Sequence, residues 1–239
     1  MTDQGVFQDA ICPKHGPYHH TELKNGVFYA INKKCPKCAE EARIGKAVTN
    51  ALIPPRFANK TFENYQVFHQ GQKDALAKAQ EFCEDIKAKP RGGINLILSG
   101  SCGTGKTHLA CAVLRETIRS SKTGMYMLND TMLRRIKSRW DNAKGGEDEI
   151  IEKFSRVDLL VIDEVGMKEN SFPWERDSFF EVINGRYEQM LPTIIVSNLS
   201  VTGEISIKSY VGQRSFDRLI EHSKVILMNW ESFRTGETL

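Results

Sequence analysis

A glycine-rich loop at residues 100–107 places the strongest constraint on how this chain can fold. Its sequence, GSCGTGKT, matches the pattern G-x-x-x-x-G-K-[ST] in full. It follows a strand-like apolar run, INLILS, and precedes a helix-like one, HLACAVLRETIRSS. A loop in this context directs backbone N–H groups and a helix N-terminus toward a phosphate. The chain is therefore expected to contain an α/β domain that binds the phosphates of a nucleotide.

The loop and the start of the following helix form the expected nucleotide-binding set: Gly100, Gly103, Thr104, Gly105, Lys106, Thr107 and His108. Its glycines allow the backbone to curl so that the N–H groups surround the β-phosphate. Lys106 is expected to reach the β- and γ-phosphates, and the Thr107 hydroxyl is expected to bind Mg²⁺. A nucleoside triphosphate with Mg²⁺ is therefore the expected ligand.

Two further apolar runs end in polar side chains that suit phosphate chemistry. The run VDLLVID is typical of a parallel strand buried on both faces, and it ends in Asp163 and Glu164. Asp163 is expected to hold Mg²⁺, directly or through water, and Glu164 to polarise the attacking water as a general base. The run LPTIIVSN ends in Asn198, which is expected beside the γ-phosphate and helps to position the water. A base for water favours a hydrolase over a kinase.

Two pairs of potential metal ligands lie near the N-terminus: Cys12, His15, Cys35 and Cys38. Zinc prefers four tetrahedral nitrogen and sulfur ligands, and a two-residue spacer lets one tight turn present two of them to the same ion. An Asn-Gly turn signal before the β-prone run VFYAI indicates a small ribbon between the pairs. We expect a structural zinc site that supplies much of the stability of this segment. His19 and His20 are alternatives to His15.

The composition limits the remaining classes of protein. Six cysteines without a secretory signal indicate reduced thiols, and Cys83, Cys102 and Cys111 are expected to be structural. The apolar runs are too short for a membrane span, so we expect a cytoplasmic protein with no membrane contact. The net charge of +3 is too small to indicate a nucleic-acid partner by itself.

A proline-rich stretch, PPRFANK, separates two regions of the chain. It follows AEEARIGKAVTNALI, which has apolar positions at helical spacing and is expected to form a helix leading out of the zinc module. Because two prolines cannot continue a helix, we place the linker around residues 53–60. The expected domains are a zinc-binding, partner-binding module with a linker helix at residues 1–53 and a larger domain at residues 54–239. The helix is a candidate docking element and equally an ordinary linker.

The ordered set of motifs resembles the AAA+ ATPases, and more narrowly the DnaC-type replicative helicase loaders and the related IstB-type transposition helpers. The narrower marks are FENY, DLLVIDEVG, GQRSFDRLIE and NWESFR. The resemblance implies ATP as the nucleotide and an α/β fold, a P-loop AAA+ domain whose parallel sheet is flanked by helices. About forty residues follow Asn198 in the 239-residue chain, so little or no C-terminal lid is expected and no sensor 2 arginine can be assigned. The zinc-ribbon-like N-terminal module departs from the best-known loaders.

The resemblance also implies a role for each residue at a matching position. The matching residues are Lys106 and Thr107 of Walker A, Asp163 and Glu164 of Walker B, and Asn198 as sensor 1. Arg218 matches the arginine finger, and Arg214 is the alternative. A finger acts on the γ-phosphate bound by a neighbouring subunit, so self-association through the ATPase domain is implied.

A run of basic residues that ends in an aromatic one is a candidate DNA contact: Arg134, Arg135, Lys137, Arg139 and Trp140. Basic side chains neutralise phosphates and an aromatic ring stacks on a base, a combination typical of sequence-tolerant single-strand binding. In the loaders this position resembles the helical insertion that faces single-stranded DNA. A solvated helix face explains the same charges nearly as well.

Three functional hypotheses follow from these features. The first is an ATPase that binds a DnaB-type replicative helicase and loads it onto single-stranded DNA. The second is an IstB-like transposition helper that assembles on duplex DNA, and the third is a zinc-stabilised adaptor whose ATP site is only a conformational switch. The zinc module and the NWESFR ending favour the loader over the helper, and the intact Glu164 speaks against the adaptor.

Overall fold

The computed structural model describes residues 6–140, 146–168 and 171–233 of the 239-residue chain. These residues form two compact units that divide between Ala47 and Val48. The linker expected at residues 53–60 lies in the second unit, where Pro55–Phe57 forms one 3-10 turn. The domain boundary placed at residue 53 therefore also falls inside the second unit.

The first unit contains a three-stranded antiparallel sheet. Its strands, in spatial order, are β1 (Phe7–Cys12), β2 (Gly16–Lys24) and β3 (Val27–Ala30). Asn25 and Gly26 connect β2 to β3 with φ angles of 50° and 76°, and Lys24 pairs with Val27. Positive φ at both central residues is what a tight hairpin turn requires, so the Asn-Gly turn signal and the small ribbon are confirmed.

Helix α1 (Pro36–Asn50) follows the sheet. The sequence predicts this helix after Cys38, whereas it begins at Pro36 and so includes Cys38 in its first turn. Proline is well tolerated at the first position of a helix because its missing N–H has no intrahelical partner there. Leu52, with a φ of 59°, follows the end of the helix.

The second unit is an α/β domain with five parallel strands. Its helices and strands after the 3-10 turn are α2 (Gln70–Ala88), β4 (Asn95–Ser99), α3 (Lys106–Arg119), β5 (Gly124–Leu128), α4 (Asn129–Trp140), α5 (Gly146–Arg156), β6 (Leu159–Val165), α6 (Pro173–Glu188), β7 (Thr193–Ser197), α7 (Ile207–Val211), α8 (Gln213–Ile220) and β8 (Ser223–Leu227). The strand order is β5-β6-β7-β4-β8. None of the helices in the described ranges is long and apolar enough to cross a membrane.

The sheet forms the centre of the hydrophobic core. All five residues of β4 and all five of β7 are buried, as expected for strands covered by helices on both faces. Parallel pairing brings the carboxyl ends of β4, β6 and β7 to one edge of the sheet. In the described part of the chain, residues 228–233 follow β8.

A fully buried arginine connects a helix to the amino ends of the strands, at the edge opposite the carboxyl ends. Arg186 of α6 is 1% exposed and donates to Thr193 Oγ1 and to the carbonyls of Phe154, Val157 and Pro192. Burial lowers the pKa of its guanidinium to about 9. The side chain therefore satisfies four acceptors from four separate residues.

Replacing Arg186 with methionine is expected to destabilise the second unit strongly. The change leaves buried carbonyls without donors, and each unsatisfied group costs about 1–3 kcal/mol, so a total loss of about 3 kcal/mol or more is expected. Urea denaturation followed by circular dichroism measures this loss. Arg156→Met is the matched control because Arg156 is exposed and forms an ion pair with Glu152 on its own helix. Equal stabilities of the two variants would contradict the structural role of Arg186.

Candidate functional site

The glycine-rich loop connects β4 to α3 at the carboxyl edge of the sheet. Gly100, Gly103 and Gly105 have φ angles of 142°, 76° and 94°, which L side chains rarely adopt. A Cβ atom on Gly103 would also lie 1.9 Å from Ser232 Oγ. Both the backbone conformation and this close approach therefore require glycine in the loop.

Lys106 folds back over the loop that precedes it. Its Nζ donates to the carbonyls of Gly100 at 2.8 Å and Ser101 at 2.5 Å, and the side chain is buried. Thr104 Oγ1 also donates to the Ser101 carbonyl, at 2.9 Å. The predicted phosphate-binding ammonium thus lies at the loop itself, beside the N-terminus of α3.

A carboxylate from β6 lies against the first turn of α3. Asp163 is 4% exposed, and its Oδ2 accepts hydrogen bonds from Thr107 Oγ1 at 2.8 Å and from the Tyr126 hydroxyl at 2.7 Å. Its Oδ1 accepts from the backbone N–H of Glu164 at 2.7 Å. Burial and the adjacent Asp163 carboxylate raise the pKa of Tyr126, so the phenol remains a donor. A hydroxyl and a carboxylate are ligands that suit Mg²⁺, so the donor set fits this ion.

Glu164 and Asp163 are consecutive but have opposite surroundings. Glu164 has a φ of 58° at a register shift between β6 and β7, and its side chain is exposed where that of Asp163 is buried. A positive φ is costly for a residue with a Cβ atom, and such strain clusters at functional sites. The bulge therefore presents the second acid outside the core at the carboxyl end of the strand.

Asn198 follows β7 and lies beside the same loop. Its Nδ2 donates to Cys102 Sγ at 3.1 Å, and Cys102 is itself an exposed residue of the loop. The structure thus brings Asn198 to the phosphate-binding loop. Cys102 contacts a predicted site residue, whereas Cys83 and Cys111 are buried in the domain core.

His108, in the first turn of α3, contacts the segment that contains FENY. Its Nε2 donates to the Thr61 carbonyl at 2.8 Å, and the Tyr65 ring lies edge-on at 5.2 Å. Burial lowers the pKa of His108 and raises the pKa of Tyr65 to about 12. The structure therefore places His108 as a contact between α3 and the segment before α2.

The segment after β8 lies along the glycine-rich loop. Trp230 Nε1 donates to the Thr104 carbonyl at 3.1 Å, and the Phe233 backbone N–H donates to the Gly103 carbonyl at 2.9 Å. The rings of Trp230 and Phe233 contact His69 and Phe68, at centroid distances of 5.1 and 5.7 Å. Sequence reasoning assigned no role to this segment, although NWESFR is one of the family's marks.

The two candidate arginine fingers pack on α6 of their own chain. The Arg218 guanidinium lies 4.7 Å from the Phe180 ring centre, and its Nε donates to Asn184 Oδ1 at 2.8 Å. The Arg214 guanidinium lies 4.4 Å from the same Phe180 ring. The carbonyl of Arg218 accepts from Asn95 at the beginning of β4, the end remote from the glycine-rich loop. The structure therefore does not bring Arg218 to the loop of its own chain.

The basic run lies on the solvent side of α4. Arg134, Arg135 and Lys137 are exposed, and Lys137 Nζ lies 4.9 Å from the Trp174 ring centre. Arg139 and Trp140 are in the helix, but their side chains lie outside the described part. Arg134 and Lys137 are three residues apart and so share one helix face. Of the three exposed cations, Lys137 is the one that lies beside the Trp174 ring.

The first unit brings its four predicted metal ligands together. Their ligand atoms lie within 4.8 Å of one another: Cys12, His15, Cys35 and Cys38. The Cys12 and Cys38 sulfurs are 3.6 Å apart, and His15 Nδ1 lies 3.3–3.7 Å from the three sulfurs. Zn–S bonds of about 2.3 Å in a tetrahedron place sulfurs about 3.8 Å apart, so the donor set fits zinc.

The surroundings of the cluster also suit a metal. Hydrogen bonds from the backbone N–H groups of Lys14 and His15 lower the pKa of Cys12 to about 6, and the hydrogen bond with Cys12 raises the pKa of Cys38 to about 11. His15 Nε2 lies 3.3 Å from Glu41 Oε1, which is the kind of outer contact that would orient the imidazole on a metal. The alternative ligands are engaged elsewhere, His19 with Asp9 and His20 with the Asn32 carbonyl.

Comparison with known proteins places the chain in a family. The family described as IstB-like ATP binding protein matches residues 41–238. The replicative helicase loader DnaC of Escherichia coli K12 is 31% identical over 188 residues, which cover 78% of this chain and 74% of that protein. The DnaC of Buchnera aphidicola subsp. Baizongia pistaciae is 30% identical over 235 residues, which cover 94% of this chain and 92% of that protein.

Solved structures agree with this assignment at the level of the fold. A crystal structure of the DnaC helicase loader superposes with a TM-score of 0.65 at 24% identity and covers 73% of this chain and 99% of that one. The likeness confirms the expected P-loop AAA+ fold of the second unit. The chain belongs to the family of IstB-like ATP binding proteins and to that of the replicative helicase loader DnaC.

Proposed function

We propose that this protein hydrolyses ATP to control the loading of a DnaB-type replicative helicase onto single-stranded DNA. One observation carries the ATPase part of the proposal. The hydroxyl of Thr107, next to the phosphate-binding Lys106, contacts the buried carboxylate of Asp163 at 2.8 Å. The two halves of a Mg²⁺–nucleotide site therefore meet at the carboxyl edge of the sheet, where open α/β domains bind ligands.

Each residue of this edge has a distinct role in the proposed hydrolysis. The loop N–H groups and Lys106 would bind the phosphates, and Thr107 and Asp163 would hold Mg²⁺, which would supply positive charge to neutralise them. Glu164 accepts a proton from the attacking water, because its exposed carboxylate can reach solvent at this edge. Asn198 orients the same water from the neighbouring strand.

The proposed catalytic unit is an assembly of several copies. Arg218 belongs to α8 and packs against α6 of its own chain, away from the glycine-rich loop of that chain. It is therefore available to the γ-phosphate bound by an adjacent subunit, where an arginine stabilises the charge of the transition state. Arg214, on the same helix face, is the alternative for this role.

In this proposal α4 contacts single-stranded DNA through its exposed cations. Arg134→Ala combined with Arg135→Ala is expected to weaken the affinity and to flatten its salt dependence, because each lost phosphate contact removes a slope of about 0.7 for a single strand. Fluorescence anisotropy of a labelled oligonucleotide across a salt series measures both quantities. Lys73→Ala with Lys78→Ala removes two exposed cations from α2 and is the matched control. Equal salt slopes for both double variants would exclude α4 as the DNA contact.

The first unit is proposed to bind zinc and, in the zinc-bound form, the helicase. His15→Ala is expected to abolish the one bound zinc and to unfold the three-stranded sheet, since structural zinc supplies about 10–16 kcal/mol of apparent binding free energy. Elemental analysis of the purified chain gives the zinc content. His19→Ala and His20→Ala are matched controls that should retain the metal. If either control loses zinc while His15→Ala retains it, the histidine replaced in that control is the fourth ligand and His15 is not.

A complex with the helicase tests the whole proposal. The chain is mixed with the DnaB-type helicase of its host, with and without ATP and single-stranded DNA, and masses are read by native mass spectrometry. A defined complex that the His15→Ala variant fails to form supports loading through the zinc module. The IstB-like family match makes a transposition helper the second candidate. ATP-dependent assembly on duplex DNA without a helicase complex would favour that candidate.

A further inference from the structure

Tyr126 is a buried residue that belongs to none of the recognised motifs. It lies in the middle of β5 and is 3% exposed. Strand β5 pairs in parallel with β6, and Leu128 lies opposite Asp163, so Tyr126 reaches the Asp163 carboxylate from the neighbouring strand. A phenol in the core needs an acceptor, and here the acceptor is a proposed Mg²⁺ ligand.

The three donors around Asp163 divide its two oxygens between them. The backbone N–H of Glu164 occupies Oδ1, whereas Thr107 and Tyr126 share Oδ2. In the proposed Mg²⁺ site the Thr107 hydroxyl would hold the ion and would no longer orient Asp163. Tyr126 and the Glu164 N–H are then the contacts that keep the carboxylate in its orientation.

We infer that Tyr126 is a positioning residue for the metal, acting through Asp163. The inference rests on the proposed function, because it assumes that Asp163 binds Mg²⁺. Partners that orient a metal-binding side chain have measurable effects on the metal, and their loss typically lowers metal affinity about 10–100-fold. A tyrosine with only a structural role would change the folding stability and leave metal binding intact.

The test uses the full chain, ATPγS and Mn²⁺ as a spectroscopic substitute for Mg²⁺. Electron paramagnetic resonance gives the Mn²⁺ affinity of the ATPγS complex, and a second titration in EDTA gives the metal-free affinity for nucleotide. Tyr126→Phe keeps the ring volume and removes the hydroxyl. Tyr210→Phe is the matched control, because Tyr210 is also buried and its hydroxyl contacts Asn129 instead.

The expected result is an Mn²⁺ affinity about tenfold lower in Tyr126→Phe, with unchanged nucleotide binding in EDTA and no change in Tyr210→Phe. In an Asp163→Asn background the Tyr126→Phe change should have no further effect, which separates coupling from a general loss of stability. Wild-type Mn²⁺ affinity in Tyr126→Phe would overturn the inference while leaving the ATP site in place. Absence of metal-dependent nucleotide binding in the wild-type chain would overturn the ATP site as well.

Discussion

Replacing Glu164 with glutamine is expected to lower the rate of ATP hydrolysis by about 10²–10⁴-fold and to leave ATP binding unchanged. Glutamine has nearly the same shape but cannot accept the proton of the attacking water. The side chain is exposed at the bulge in β6, whereas the adjacent Asp163 is buried. The substitution should therefore remove a proton acceptor without disturbing the carboxylate that we propose for Mg²⁺.

Single-turnover kinetics and equilibrium binding of ATP measure the two quantities separately. Glu231→Gln is the matched control, since it removes an exposed acid from the segment that lies along the same loop. Its hydrolysis rate should remain that of the wild type. If Glu164→Gln weakens ATP binding as strongly as it slows hydrolysis, the side chain acts in binding and another residue is the base.

The Glu164→Gln variant would also separate the functional hypotheses. A loader that releases its helicase on hydrolysis should accumulate as a helicase complex when ATP is bound and not consumed. A zinc-stabilised adaptor with a purely conformational switch would behave as the wild type, because it needs ATP binding alone.

The parts of the site that can be predicted from the sequence are those formed by residues close together along the chain. The glycine-rich loop, its lysine and the two acids after β6 are short motifs whose flanking runs form the expected strand and helix. A Cys-x-x-His and a Cys-x-x-Cys pair are equally local. The structure brings these four side chains together because β2 leads away from Cys12 and β3 returns alongside it, so that Cys35 and Cys38 lie near the end of β1.

The parts that sequence reasoning missed depend on the order of the strands. Tyr126 meets Asp163 because β5 is the neighbour of β6, and no spacing along the chain encodes that adjacency. Trp230 and Thr104 are far apart in sequence, and their contact exists because β8 pairs with β4. Arg186 was also missed, because a basic residue in a helix is usually exposed. This arginine is buried, and its four acceptors come from residues that only the fold brings together.

Replacing Arg218 with alanine is expected to lower ATP hydrolysis by about 10³-fold under assembling conditions, at the lower end of the range for arginine fingers. A factor of 10³ corresponds to about 4 kcal/mol of transition-state stabilisation. Arg214→Ala should have a much smaller effect, although both guanidinium groups pack on the Phe180 ring. Asn184→Ala removes the side-chain partner of Arg218 and should retain activity, which controls for lost packing on α6.

Mixing two inactive variants tests whether the arginine acts between subunits. Lys106→Ala subunits have a defective nucleotide site but an intact Arg218. Arg218→Ala subunits have an intact nucleotide site but lack the arginine. If Arg218 reaches the nucleotide of a neighbour, the mixture should regain part of the activity, because Lys106→Ala subunits supply the missing arginine in trans. Recovered activity at high protein concentration, lost on dilution, would locate the catalytic site between subunits. A mixture as inactive as its components would contradict the trans arrangement and confine Arg218 to its packing on α6.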